Sequence, residues 1–282
     1  LQVAENLYFN NAEVTQTLVT PVRTNSTNNR IIGVKINIGG TVSTINATNF
    51  TFNTNGTSNP LTDISNAKLY YTGSSSNFTT NTLFGEIASP NGVFNIAGNQ
   101  SLLKGDNYFW LTFDVPETAT ILNYLDAECT SIEIGGQAEV PDNTSVAGNR
   151  QIRGPLSGVY TVNNTQQTNL STGGTNYANF DDVFTDLNSV GVSGTVIFNI
   201  FAGQTFNATC SNVGIYSNTN INYAYLLQIN GTIATPVIFQ KTGEGADPVI
   251  NFTGASSTNI NVGFLLYGAD YITFDHLKIN DA

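Results

Sequence analysis

An all-β chain is predicted from three observations. Charged residues make up only 10% of the sequence, against roughly 25% in an average soluble protein. The surface must therefore be coated with Asn, Thr, Ser, Gln and Gly, which suit strands and turns better than long solvated helices. Short apolar or alternating stretches recur along the whole chain, divided by turn-forming clusters. One segment alone carries clear helical periodicity. The expected architecture is an antiparallel β-sandwich over residues 1–153, then a coiled β-solenoid over 154–282.

In the first half, "IIGVKINIG" (31–39) alternates around Ile32, Val34, Ile36 and Ile38. It is followed by "NFTFNT" (49–54), "AKLYYTG" (67–73), "GVFNIAG" (92–98), "NYFWLTFDV" (107–115) and "TSIEIGG" (130–136). Clusters such as "NTNGTSNP" (53–60) and "GSSSN" (73–77) separate them. Strands at this spacing without helices between them point to a sandwich. "ETATILNYLDAE" (117–128) reads as an irregular connection or a short helix. On the strand 107–115, Trp110 shares a face with Tyr108 and Thr112, opposite Phe109, Leu111 and Phe113. It is either core, as large aromatics mostly are, or a stacking surface for a sugar. "PDNTSVAGNRQIRGPLSG" (141–158) combines Pro, Gly and Asn and marks the boundary between the halves.

The helix is predicted near 179–189, "NFDDVFTDLNS". Phe180, Val183, Phe184 and Leu187 fall at i, i+3, i+4 and i+7, forming one apolar face. Asn179 is the expected N-cap, Asp181 and Asp182 suit the first turn, and Gly191 follows the end. Then come "GTVIFNIFAG" (194–203), "YLLQIN" (225–230), "PVIFQK" (236–241), "PVINFTG" (248–254), "GFLLYG" (263–268) and "YITFDHLKIN" (271–280). Leu226–Leu227 is matched by Leu265–Leu266, and Val237-Ile238-Phe239 by Ile272-Thr273-Phe274. The two offsets differ, as they do where stacked strands keep register and loops vary in length. A solenoid rung needs a neighbour on each side, so the chain is expected to continue beyond residue 282, and the absence of Met suggests an excised or mature segment.

The formal net charge is −11 with nine Lys plus Arg, which argues against a nucleic-acid or anionic-membrane partner. No apolar run is long enough to span a bilayer. Cys129 and Cys210 lie in different halves, so neither a disulfide framework nor a metal site is implied, and both read as small buried thiols. No metal-ligand spacing, phosphate loop or nucleophile elbow is present, and no cofactor is expected.

Residues 154–282, through "GVYTVNN", "NYANFDDVFTDLNSVGVSGTVIFNI", "PVIFQ" and "LYGADYITFDHLKIND", resemble the opening of right-handed parallel β-helix proteins of the pectin-lyase-like type, as found in large exported proteins of Bacteroidetes. That resemblance implies a short capping helix plugging the first coil, at 179–189. Residues 11–153, through "NRIIGVKINIGG", "AKLYYTG" and "GDNYFWLTFDV", resemble a β-sandwich found at the N-terminus of some bacterial neuraminidases. Together these resemblances imply an extracellular or cell-surface location. They also imply export through the type 9 secretion system, with secretion or outer-membrane machinery as a transient partner.

His276, the single histidine, stands where similar repeats carry Asn at the bend between two strands, so it is expected to be a turn residue. Its rival role is catalytic: a polysaccharide lyase needs a base and a cation, and His276 with Lys278 and Asp275 is the best seed. A glycosidase needs two carboxyls flanking the scissile bond, for which Asp247, Asp270, Asp275 and Asp281 are candidates. The Asp-box repeats of sialidases are absent. The expected function is a non-enzymatic surface adhesin or stalk segment that contacts an extracellular polysaccharide or surface glycan, with Tyr216, Tyr223 and Tyr225 as stacking surfaces. The alternative is a lyase or glycoside hydrolase whose catalytic rungs lie beyond residue 282.

Overall fold

The computed structural model describes residues 5–170, 174–216, 219–229, 231–255 and 259–281, the side chains of 215, 216 and 281 excepted. It is mostly β, with several antiparallel sheets, and divides into two compact units, Leu1–Gly154 and Pro155–Ala282.

The first unit contains β1 (Tyr8–Thr15), β2 (Val22–Arg23), β3 (Ser26–Gly39), β4 (Asn46–Asn53), a single turn α1 (Pro60–Asp63), β5 (Asn66–Tyr71), β6 (Leu83–Ala88) and β7 (Val93–Ser101). It continues with β8 (Gly105–Val115), β9 (Tyr124–Leu125), β10 (Glu128–Ile134), β11 (Gln137–Glu139) and β12 (Arg150–Arg153). Two antiparallel sheets, ordered β1-β3-β8-β5-β6 and β11-β10-β4-β7, share one apolar core. The period of two decides which side chains enter it. Ile32, Val34, Ile36 and Ile38 alternate inward from β3, and Phe109, Leu111 and Phe113 from β8. They meet Phe50, Phe52, Ile96 and Ile132 of the other sheet, with the Phe50 and Phe109 rings 4.7 Å apart.

Trp110 lies on the other face of β8, outside this core, yet it is only 7% exposed. Its indole N–H donates to Thr72 Oγ1 (3.0 Å), Phe78 packs edge-on to it, and the Arg30 guanidinium sits 5.0 Å from its ring centre. Gly33 is required beneath it, because a Cβ there would meet the indole at 2.6 Å. The residue thus has no face open for sugar stacking. Segment 117–128 forms no helix: an irregular connection leads into β9 and β10, held by the buried Asp63 carboxylate, which accepts from Thr120 N and Asn123 Nδ2, both at 2.8 Å. The Arg150 guanidinium, also buried, donates to the carbonyls of Thr20, Pro21 and Arg30. Cys129 and Cys210 are both buried.

The second unit contains β13 (Leu156–Val162), β14 (Asn176–Tyr177), α2 (Phe180–Val190), β15 (Val192–Phe201), β16 (Thr205–Cys210), β17 (Asn212–Tyr216), β18 (Thr219–Leu227), β19 (Val237–Thr242), β20 (Val249–Gly254), β21 (Ile260–Leu266), β22 (Ile272–Asp275) and β23 (Lys278–Asp281). Helix α2 forms where its periodicity predicts. Asn179 accepts from Asp182 N at 2.8 Å, and Gly191 ends the helix with φ of 64°. Phe180, Val183, Phe184 and Leu187 are buried on its apolar face.

Three parallel ladders run through this unit: β13-β15-β19-β22, β16-β20-β23 and β18-β21. Their registers pair Leu226–Leu227 with Leu265–Leu266 and Val237-Ile238-Phe239 with Ile272-Thr273-Phe274, the pairs matched in the sequence. Inside, Phe198, Phe239 and Phe274 stack nearly face to face with centroids 4.9 and 5.0 Å apart. Outside, amides form columns. Asn280 Nδ2 donates to Asn251 Oδ1 (3.0 Å), whose Nδ2 donates to Asn207 Oδ1 (2.9 Å). Gln240 Nε2 donates to Asn199 Oδ1 (2.9 Å).

Two outcomes are expected. Phe239→Ala opens the middle of the ring stack and costs about 3–5 kcal/mol, read as a lower urea midpoint for the second unit. The half-exposed Phe274 gives a smaller loss when truncated.

The second outcome concerns Asp126, whose carboxyl is pushed up by burial from 3.8 to about 6. The Ala127 N–H at 2.7 Å and the Gln16 amide, oriented to donate at 3.0 Å, hold it down only in part. The folded state therefore binds this proton more tightly than the unfolded chain. The associated stability is complete below the unfolded value and is lost as pH rises through the folded one. Relative to Asp126→Asn, wild-type protein should lose thermal stability as pH rises from about 4 to about 6.

Candidate functional site

In the second unit, helix α2 and strand β18 enclose a polar cleft of about 250 Å³, whose lining includes Asp181, Thr185, Asn188, Asn212 and Tyr223. A smaller cleft of about 160 Å³ adjoins it, with Gly214, Gln228, Leu265 and Tyr267 in its wall. Tyr223 and Leu226 line both, so the two make one depression with an aromatic ridge.

Local bonding fixes its walls. Asn188, near the end of α2, donates to Leu226 O (2.7 Å) and accepts from Gln228 N (3.1 Å), which ties the helix to β18. β17 folds back antiparallel on β18, and Asn212 Nδ2 donates to Ala224 O at 3.0 Å. Gly214 lets the Tyr223 ring lie against β17, since a Cβ would approach it to 3.2 Å. Asp181 sits in the first turn of α2. Burial raises its carboxyl above the ordinary range and the neighbouring Asp182 adds to this, against its own backbone N–H. Among the described lining residues Asp181 is the one carboxylate. The depression offers a flat phenol face, one carboxylate and a hydroxyl at Thr185, which suit the C–H and O–H faces of a sugar.

The sequence-predicted tyrosines fare differently. Tyr223 is half-buried on the ridge. Tyr225 also borders the cleft, but its ring is 4% exposed and packs against Phe184 at 4.8 Å and Phe264 at 5.6 Å, so it presents little stacking surface. Burial, and then the Asp181 charge, raise its hydroxyl above the usual tyrosine range. The Tyr216 side chain lies outside the described residues. Tyr267, 61% exposed beside Tyr223, was missed. It follows Leu265–Leu266 directly, so the offset that aligns them with Leu226–Leu227 also places Tyr267 beside Gln228.

The catalytic candidates do not enter this depression. His276 occupies the bend between β22 and β23 with φ of 52°, a left-handed conformation in which Asn, Asp and His are enriched. Its Nδ1 lies 2.7 Å from Asp275 Oδ1, but both side chains are more than half exposed, so the pairing contributes little. Lys278 is exposed at the start of β23. Asp247 pairs with Lys241 Nζ at 3.0 Å, Asp270 is exposed, and the Asp281 side chain lies outside the described residues.

Residues 10–138 match the family model described as the N-terminal domain of BNR-repeat neuraminidase. That span lies within the first unit and takes in its two large antiparallel sheets. Among solved structures the chain is similar to the Hadza microbial sialidase Hz136, at 13% identity and a TM-score of 0.41, covering 50% of this chain and 31% of that one. It is also similar to the CupB6 tip adhesin from Pseudomonas aeruginosa, at 10% identity and a TM-score of 0.17, covering 52% of this chain and 46% of that one. The chain thus spans less than half the length of either. No curated protein matches it. Among the described residues, no helix is long and apolar enough to cross a membrane.

The positive φ at His276 yields a stability test. His276→Asn should leave the urea midpoint of the second unit unchanged, while His276→Val costs about 1–2 kcal/mol, the usual penalty of the left-handed region for a side chain that cannot relieve it.

Proposed function

We propose that the chain is a carbohydrate-binding module of an extracellular or cell-surface protein, an adhesin or stalk segment without catalysis of its own. The observation that carries this reading is the Tyr223–Tyr267 ridge beside the Asp181 carboxylate, a combination of aromatic face and hydroxyl-binding groups that recurs wherever proteins hold sugars by contact. The family match of residues 10–138 supports a carbohydrate-related context for the first unit. We read the second unit as a right-handed parallel β-helix capped by α2. Support comes from its three parallel ladders and from the apolar face that α2 buries over Phe206 and Phe239. Export by a type 9 secretion system from a Bacteroidetes cell belongs to the same proposal and rests on the resemblance of residues 154–282.

A second reading is favoured by the same family match: the chain is the non-catalytic part of a glycan-cleaving protein. Both readings require glycan binding. Assayed on an array of bacterial, plant and mucin glycans, the protein should bind a defined subset. Tyr223→Ala and Tyr267→Ala should each weaken binding about tenfold, the effect of roughly 1.4 kcal/mol. Absence of binding across the array, or binding indifferent to both substitutions, would sink the proposal. Glycan release by the native polypeptide purified from its source would favour the second reading over the first.

A further inference from the structure

On the outer face of the five-stranded sheet in the first unit, four side chains meet in an arrangement that neither packing nor the glycan reading explains. The β3–β8 pairing breaks between Ser26 and Asn29, and this bulge turns Asn28 to φ of 57°. Bulges re-aim side chains in this way. Asn28 N–H donates to Asp114 Oδ1 at 2.8 Å, while Lys68 Nζ donates to Asp114 Oδ2 at 2.6 Å. The same amine lies 3.4 Å from the Asn28 side-chain carbonyl oxygen, which also accepts from Tyr70 Oη at 2.8 Å. The site is sheltered. The Lys68 and Asp114 side chains are 18% and 11% exposed, Tyr70 is buried, and Phe78 closes edge-on over Tyr70 and Trp110.

We propose that Lys68 and Asn28 join through a side-chain amide bond, formed by the protein itself with Asp114 as proton carrier and Tyr70 as activator of the carbonyl. Each part has a chemical role. Lys68 supplies the nucleophile and Asn28 Cγ the electrophile. The Tyr70 hydroxyl stabilises negative charge as it grows on Oδ1. Asp114, held by the Asn28 backbone N–H, sits where it can take and return a proton. Burial disfavours the Lys68 ammonium, but the hydrogen bond and charge of Asp114 outweigh that effect and raise it above the ordinary lysine range. The amine therefore becomes nucleophilic only by handing a proton to Asp114.

The step balances without an outside reagent. Nζ of the neutral amine attacks Cγ, and the Nζ–Cγ bond forms as Oδ1 takes up the developing charge. The proton lost from Nζ passes through Asp114 to Nδ2, the Cγ–Nδ2 bond breaks, and ammonia departs. The proton first taken from the lysine ammonium leaves with it as ammonium ion. Nothing is oxidised or reduced. Because β8 lies between β3 and β5 in the sheet, the bond would bridge three strands.

Intact-mass measurement of the full 282-residue chain under denaturing conditions should give a value lower than the sequence mass by one ammonia. Trypsin should yield a branched peptide joining residues 24–30 to residues 36–104, uncut after Lys68. Lys68→Arg keeps a cation for Asp114 but cannot form the amide, so it should return the full mass of its own sequence and three linear peptides, 24–30, 36–68 and 69–104. Asp114→Asn should do the same, and Lys68→Arg carries the test if that variant fails to fold. Wild-type protein at its full sequence mass would overturn the proposal. So would loss of ammonia that persists in Lys68→Arg or maps to Asn55–Gly56, Asn91–Gly92 or Asn230–Gly231, the ordinary sites of succinimide formation.

Discussion

Paired strands lie about 4.8 Å apart, and that spacing governs the second unit. In a parallel ladder every side chain sits directly above its register partner, so like must be placed on like. Phe198, Phe239 and Phe274 stack because strand spacing and ring-stacking distance nearly coincide, and Asn207, Asn251 and Asn280 bond for the same reason on the outer face. Helix α2 depends on this regularity, since Phe180 and Phe184 need an ordered aromatic surface to pack against. The candidate cleft depends on α2 in turn, because one wall is that helix.

The first unit follows a different constraint. Its antiparallel strands alternate, so one face of each large sheet is committed to the shared core. What remains free is the outer face of the five-stranded sheet, where Trp110, Arg30, Tyr70, Lys68 and Asp114 collect. A bulge in β3 and a covering loop around Phe78 convert part of that face from a solvated surface into a sheltered pocket. The departures from ideal pairing, rather than the pairing itself, create the chemically distinctive environment.

Much of this was legible in the sequence. The alternation of 31–39 and 107–115 assigned inward and outward residues correctly, and the matched Leu and aromatic pairs anticipated the register of the later strands. Asn179, Asp181, Asp182 and Gly191 marked the ends of α2 because capping is a local matter. Other features were out of reach because they depend on distant residues. Trp110 was placed on the right face, but the loop that buries it carries no periodic signal. Tyr225 looked available until α2 supplied Phe184 to cover it. Asn28, Lys68 and Asp114 are brought together by a bulge, and no spacing in the chain announces one.

The amide columns on the outer face of the second unit have a consequence for where such a surface can work. Their cohesion comes from neutral dipoles, so dissolved ions have no charge to screen and acid or alkali no proton to move within the ordinary range. The cohesion of these columns is therefore expected to be the same at low and at high salt.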